Sequence, residues 1–253
     1  MNLIYSEYPG VFGIEHIVFL IISLILMFVS WFLIAKYAKS EKAKNIVLKI
    51  VATCLLVCII WNRLSITIYN FNHNDLGLHN LFYLIPLSFC GMSSLLTGLT
   101  ILLMKKDNKL MHYIFYLGFI GGLVSMFYPD YLEEQMFLDP RTLSGLLHHT
   151  LLVFAIVCAI ITGWFKPDLK KWYIFPIGFC ITMTFGMAMK EISGLGAMQI
   201  QNPLIKSLPI LTSWYIVGLA EWLYQFIVMV LFAKFKDKKS FKEIFNMKKD
   251  SSI

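Results

Sequence analysis

Charge is scarce in this chain: Asp, Glu, Lys and Arg make up 15% of its 253 residues, while 58% are hydrophobic. A water-soluble domain of this length carries about a quarter charged residues. The mean hydropathy of +0.70 points the same way. Cysteine is absent from the loops. All five (Cys54, Cys58, Cys90, Cys158 and Cys180) fall within apolar runs, which argues against a disulfide framework. There is no zinc-type ligand spacing and no glycine-rich phosphate loop, so no metal and no organic cofactor is expected. Low-complexity linkers and internal repeats are missing too. The net charge of +7 would suit a nucleic-acid partner only if the basic residues gathered on one surface. They do not.

What is present is a series of apolar runs of about 20 residues, the length that crosses a bilayer. They lie roughly at 13–38, 45–69, 79–104, 110–128, 143–165, 172–189 and 208–235. Lysines cluster in alternate connections: five from Lys36 to Lys49, three from Lys105 to Lys109, three from Lys166 to Lys171, and seven from Lys234 onward. Those segments hold 18 of the 22 Lys and Arg residues. The opposite connections are richer in acids, with Asp75, Asp130, Glu133, Glu134 and Asp139. Positive loops stay in the cytoplasm. The expected fold is therefore all-α, a polytopic membrane protein of seven transmembrane helices with its N-terminus outside and its C-terminus cytoplasmic. Residues 1–235 read as one membrane domain and 236–253 as a basic cytoplasmic tail. No basic segment precedes the first run, and Glu15 and His16 open it, so it reads as a span and not as a cleaved signal peptide. A multi-pass protein of the cell membrane follows, with membrane lipids as its surroundings and no nucleic acid as partner.

Ionisable groups inside a span are costly, which makes each a functional candidate. Glu15 and His16, Arg63, His148 and His149, and Lys190 with Glu191 lie toward the outer face. Glu221 is mid-span and too short to reach a headgroup, so a pairing with Arg63 or a histidine is expected. Headgroup solvation accounts equally well for Glu15, His16, Lys190 and Glu191. Asp130 follows Tyr128-Pro129, a helix stop, and reads as a cap. Gly118, Gly121 and Gly122, with Ser125 after them, read as close helix packing.

Cys90 stands apart from the other thiols. Pro86, four residues earlier, should bend the third span, which places Cys90 mid-span, about 15 Å deep at the rise of an α-helix. Gly91 follows, and Ser94 and Thr97 share its helical face. Backbone N–H groups freed near Gly91 could then serve as an oxyanion hole. A thiolate needs a base or cation, commonly histidine. His148 and His149 enter from the same side but point about 100° apart, and spacing alone chooses neither.

Several of these residues together resemble the YwaF-type bacterial integral membrane family, related to animal transmembrane phospholipid acyltransferases. The resemblance rests on Glu15-His16, Arg63, the run from Ile85-Pro86 to Cys90-Gly91, Gly121-Gly122 with Pro129-Asp130, and the stretch from His149 to Val153. It covers roughly residues 10 to 160. Thr150 departs from the glycine usual after the histidine, and residues 209–215 depart from the Gly-Pro-Trp-Pro-Trp-type stretch before the last span. The resemblance implies Cys90 as nucleophile and His149 as general base, with His148 second, passing an acyl group through a thioester.

These readings converge on a membrane acyltransferase or lipid-ester hydrolase acting on phospholipid acyl chains, with an acyl-lipid substrate and a Cys–His site in the outer half of the membrane. Arg63 and Lys190 are the expected phosphate contacts, and Glu15 or Glu221 the group that orients the histidine. The alternative is a small transporter or channel component with a polar path through the helices. A seven-span ligand-binding protein comes last, because its inner loops are short.

Overall fold

The computed structural model describes residues 10–133, 135–198, 200, 209–210 and 213–236. It is all-helical, with no strand among the described residues. Six helices are long and apolar enough to cross a membrane: α1 (Ile14–Tyr37), α2 (Glu41–His73), α4 (Met111–Phe127), α5 (Pro140–Ile161), α6 (Ile174–Ser193) and α7 (Trp214–Phe235). A seventh candidate is a bent pair, a 3-10 helix over Gly77–Leu84 joined to α3 (Phe89–Leu103) at 57°. The chain is thus a multi-pass membrane protein. The tail from residue 237, Lys206 and Glu134 lie outside the described residues.

The ends follow local rules. Ser40 caps α2 by accepting the Ala43 N–H, and Asp139 caps α5, with Pro140 supplying the fixed φ of a first helical residue. Gly194 closes α6 in the left-handed conformation at φ 70°. At 33 residues α2 is about 50 Å long, longer than a bilayer core of about 30 Å.

The third span is not the bent helix expected. Proline has no N–H to give and pushes the residue before it out of the helical region, and Ile85 is extended at φ −79°, ψ 133°. The chain then restarts a helix: the Ser88 hydroxyl accepts the Gly91 N–H at 3.1 Å. Pro86 separates two helices where a bend within one was expected. Cys90 consequently sits in the first turn of α3, at the middle of the bent pair that forms the candidate third span.

The described chain falls into two compact units. The first runs to Lys106 and resumes over Leu117–Trp164; the second holds Asp107–Tyr116 and the chain from Phe165. In the first unit α2 packs on α3 and α5, and α1 packs on α5. Met27, Met126 and Val153 form a buried knot between α1, α4 and α5. Small residues bring the helices close. A methyl on Gly98 would meet Leu56 at 2.6 Å, one on Gly122 would meet Val153 at 2.8 Å, and one on Gly118 would meet Ser93 at 3.1 Å. In the second unit Tyr113 packs on Gly178, and Phe179 on Gly218.

Candidate functional site

Cys90 enters the site through the start of α3. Its Sγ lies 3.6 Å from Ser125 Oγ of α4, and a Cβ built on Gly121 would stand 2.8 Å from that sulfur. Gly121 is therefore the space the thiol occupies. The first turn of a helix presents N–H groups and the positive end of the helix dipole. The Gly91 N–H, expected to be open to an oxyanion, is already given to Ser88 Oγ.

One turn along α3 from Cys90, the fully buried Ser94 places Oγ 3.1 Å from His148 Nδ1. His148 and His149 are both buried, and their rings lie 4.0 Å apart at 38°. The two histidines are not equivalent. His148 is held against the Cys90 face of α3 through Ser94, whereas His149 Nδ1 has no hydrogen-bond partner among the described residues. Arg63 of α2 reaches both rings electrostatically. Its Nε and Nη2 donate to Asn62 Oδ1, the first at 3.2 Å. Asn62 in turn donates from Nδ2 to Ser144 Oγ and to the Arg141 carbonyl, both at 3.1 Å. That amide ties the cation to α5 without neutralising it.

Two further groups complete the cluster. Tyr131, in the 3-10 turn Asp130–Glu133, puts its hydroxyl 3.2 Å from the Cβ position of Gly145, and Asn62 Nδ2 lies 3.7 Å from that same position. The Tyr131 hydroxyl has no hydrogen-bond partner among the described residues and lies within electrostatic reach of Cys90. Ser93 Oγ and Thr97 Oγ1 on α3 are likewise buried without a partner there. The cluster thus gathers a thiol, an imidazole–hydroxyl pair, a guanidinium and hydroxyls that have no hydrogen-bond partner among the described residues. Sequence had pointed to Cys90, Arg63 and both histidines, had noted Ser94 only as sharing the face of Cys90, and had read Ser125 as helix packing. Tyr131 was missed, and the only local signal for it is the helix stop at Pro129.

The other expected site residues fall elsewhere. His16 is fully buried and not solvated at a headgroup. The Phe12 N–H donates to its Nδ1 at 3.2 Å, so Nε2 carries the proton and gives it to the Met126 carbonyl at 2.9 Å. That bond caps the end of α4, whose last carbonyls have no helical partner. Glu15 is half-buried beside it, and Asp130 is exposed. Lys190, half-buried, and Glu191, exposed, close α6 in the second unit, which also contains Glu221. Glu221 was expected to pair with Arg63 or a histidine; in the first unit Arg63 donates to Asn62, and in the second Glu221 Oε2 has no hydrogen-bond partner among the described residues. Outside the spans, Asp139 is held below the usual carboxylate range, first by its hydrogen bond from the Arg141 side chain. Arg141 Nη2 sits 2.6 Å from Asp139 Oδ2, and its guanidinium lies over the Tyr69 ring at 3.4 Å. Among the described residues no three His, Cys, Asp or Glu side chains converge as metal ligands.

The model of the TMEM164 family, a family of transmembrane proteins, matches residues 11–236. The chain belongs to the TMEM164 family. The match spans all seven α-helices and every residue of the Cys90 cluster. No curated protein and no solved structure matches the chain.

Proposed function

We propose that this TMEM164-family protein is a cysteine-dependent acyltransferase of phospholipid acyl chains, or a lipid-ester hydrolase when water is the acceptor. The observation that carries the reading is the buried Ser94–His148 hydrogen bond one helical turn from a thiol at a helix start. His148, acting with Ser94, takes the Cys90 proton, and the thiolate adds to a lipid ester carbonyl. The Tyr131 hydroxyl replaces the Gly91 amide as the donor to the developing oxyanion. The tetrahedral species collapses, the lyso-lipid alkoxide leaves with the proton held on the imidazolium, and the acyl group remains on Cys90 as a thioester. A second lyso-lipid hydroxyl, deprotonated by His148, then takes the acyl group and restores the thiol. Arg63 faces the phosphate, a role suited to its fork of donors. The alternation of lysine-rich connections supports a site facing the outer leaflet.

His148 rather than His149 is the base in this account, because only His148 is seated against the α3 face. Acyl transfer from a labelled phospholipid to a lysophospholipid in vesicles tests it. Cys90→Ala and His148→Asn lose activity, and His149→Asn keeps most of it. Full activity in Cys90→Ala would end the mechanism, and loss confined to His149→Asn would reassign the base. A proton or solute path is the second reading, favoured by the buried polar groups around Glu221 in the other unit.

A further inference from the structure

Asn62 and Arg63 are consecutive residues of α2, and their side chains bond each other. Arg63 Nε, at 3.2 Å, and Nη2 both donate to Asn62 Oδ1. The far end of the amide fixes its direction. Asn62 Nδ2 lies 3.1 Å from the Arg141 carbonyl, which can only accept, so the nitrogen stands there and the oxygen faces the guanidinium. A second bond from Nδ2, to Ser144 Oγ at 3.1 Å, pins the amide to α5. Asn62 is buried at 3% exposure, with every polar atom of its side chain engaged.

This amide aims the guanidinium and leaves its charge intact. Among the described residues Arg63 makes no ion pair, and Asp139, the carboxylate at the start of α5, holds Arg141 instead. A guanidinium has five N–H groups. Two go to Asn62, and the other three have no acceptor among the described residues. Arg63 is only half-buried, so those groups are not sealed in by the helices. A cation within a span is costly unless it is paired, and a planar fork of N–H groups matches the oxygens of a phosphate. An aspartate in place of Asn62 would have the same shape and the opposite effect. It would pair with Arg63 and give up the two bonds donated to α5. The neutral amide is what keeps the cation available to an anion from outside the protein.

We infer that Asn62 is a positioning residue that sets substrate class: it holds Arg63 aimed and uncompensated, so that the site takes lipids carrying a phosphate and refuses neutral glycerolipids. This rests on the reading of Arg63 as the phosphate contact, and it does not depend on the Cys90 chemistry.

The test therefore uses the purified full chain with Cys90→Ala, in which no thioester can form at that residue. Binding of a labelled phosphatidylethanolamine in uncharged detergent is compared with that of a diacylglycerol with the same chains. Phosphatidylethanolamine has no net charge, so the lysine-rich connections do not attract it. The Cys90→Ala protein should bind the phospholipid at least about tenfold more tightly, and adding Asn62→Asp should bring the two lipids within about twofold of each other. Asn62→Leu, which removes the aim without adding a charge, should also weaken the preference and serves if Asn62→Asp does not fold. With Cys90 intact, Asn62→Asp should raise KM for the phospholipid about tenfold while kcat falls by about twofold at most; a merely structural fault would lower kcat and melting temperature together. Failure of excess inorganic phosphate to displace the labelled lipid supports a headgroup as the ligand, and full displacement would overturn the lipid assignment in favour of free phosphate. A preference lost in Arg63→Gln but kept in Asn62→Asp would overturn the role of Asn62 alone. A preference kept in both, or no preference in the Cys90→Ala protein, would overturn Arg63 as the phosphate contact as well.

Discussion

Gly121→Ala is the sharpest perturbation of the Cys90 site, because the new methyl would meet one atom only. Within 4 Å of that Cβ position lies the Cys90 sulfur at 2.8 Å and nothing else. Non-bonded heavy atoms settle at about 3.5–4.0 Å, so the thiol must move by roughly 1 Å, by rotation or by displacement of the α3 start. A reacting atom misplaced by about 1 Å costs on the order of 100-fold in rate. The packing cost is about 1–3 kcal/mol, typical of overfilling by one methyl. Gly118→Ala is the matched control. It also crowds α4, meeting Ser93, Leu152 and Ile156 at 3.1–3.3 Å, but leaves the sulfur alone. The assay is the initial rate of acyl transfer in vesicles, read beside melting temperature. Gly121→Ala should lose roughly 100-fold in rate with a modest fall in stability, and Gly118→Ala should lose stability with little loss of rate. Equal activity in Gly121→Ala and wild type would refute the assignment of Cys90 as the reacting group.

Three further outcomes follow from the same geometry. Tyr131→Phe removes the hydroxyl proposed for the oxyanion and should lower kcat by about 100-fold with KM little changed; a change in KM alone would make Tyr131 a binding residue. His16→Leu leaves the Met126 carbonyl and the Phe12 N–H without their partner and should cost about 1–3 kcal/mol; unchanged stability in thermal unfolding would refute it. Asp139→Asn keeps a helix cap but loses the charge paired with Arg141. Because that pairing holds the folded Asp139 below its unfolded range, its stabilisation is present above the unfolded pKa and disappears as pH falls through the folded one. Asp139→Asn should therefore melt lower than wild type at about pH 7, and the deficit should shrink as pH falls through the folded value; a deficit that does not change with pH would assign the effect to something other than the charge.

The spans were legible because a bilayer imposes a length on apolar runs, and residues 13–38, 110–128 and 143–165 fall within a few residues of α1, α4 and α5. The third span was not, since a proline four residues before Cys90 fits a kinked helix as well as a break. Ser88 decides between them by capping a new helix, and a cap is recognisable only once the break is known. The cysteine and the histidines could be picked out as costly groups in a membrane. The Ser94–His148 hydrogen bond depends on the crossing of α3 and α5, which Gly118 and Gly122 on the intervening α4 permit. Neither residue is near the histidines in sequence. Tyr131 was invisible for the same reason: its partner surface, Gly145, is a gap and not a group. Glu221 was recognised as costly within a span, and it is buried there; Tyr113 of α4, which it reaches electrostatically, comes near it only through the fold.

The most direct test of the central claim is the intact mass of the purified protein after incubation with mixed phospholipids, for wild type, Cys90→Ala and Ser94→Ala. The account predicts an added acyl mass on wild type that hydroxylamine removes, none on Cys90→Ala, and slowed accumulation on Ser94→Ala, where His148 has lost the hydroxyl that seats it. An adduct that survives hydroxylamine, or one that persists in Cys90→Ala, would contradict a thioester at Cys90 and with it the acyl-transfer mechanism.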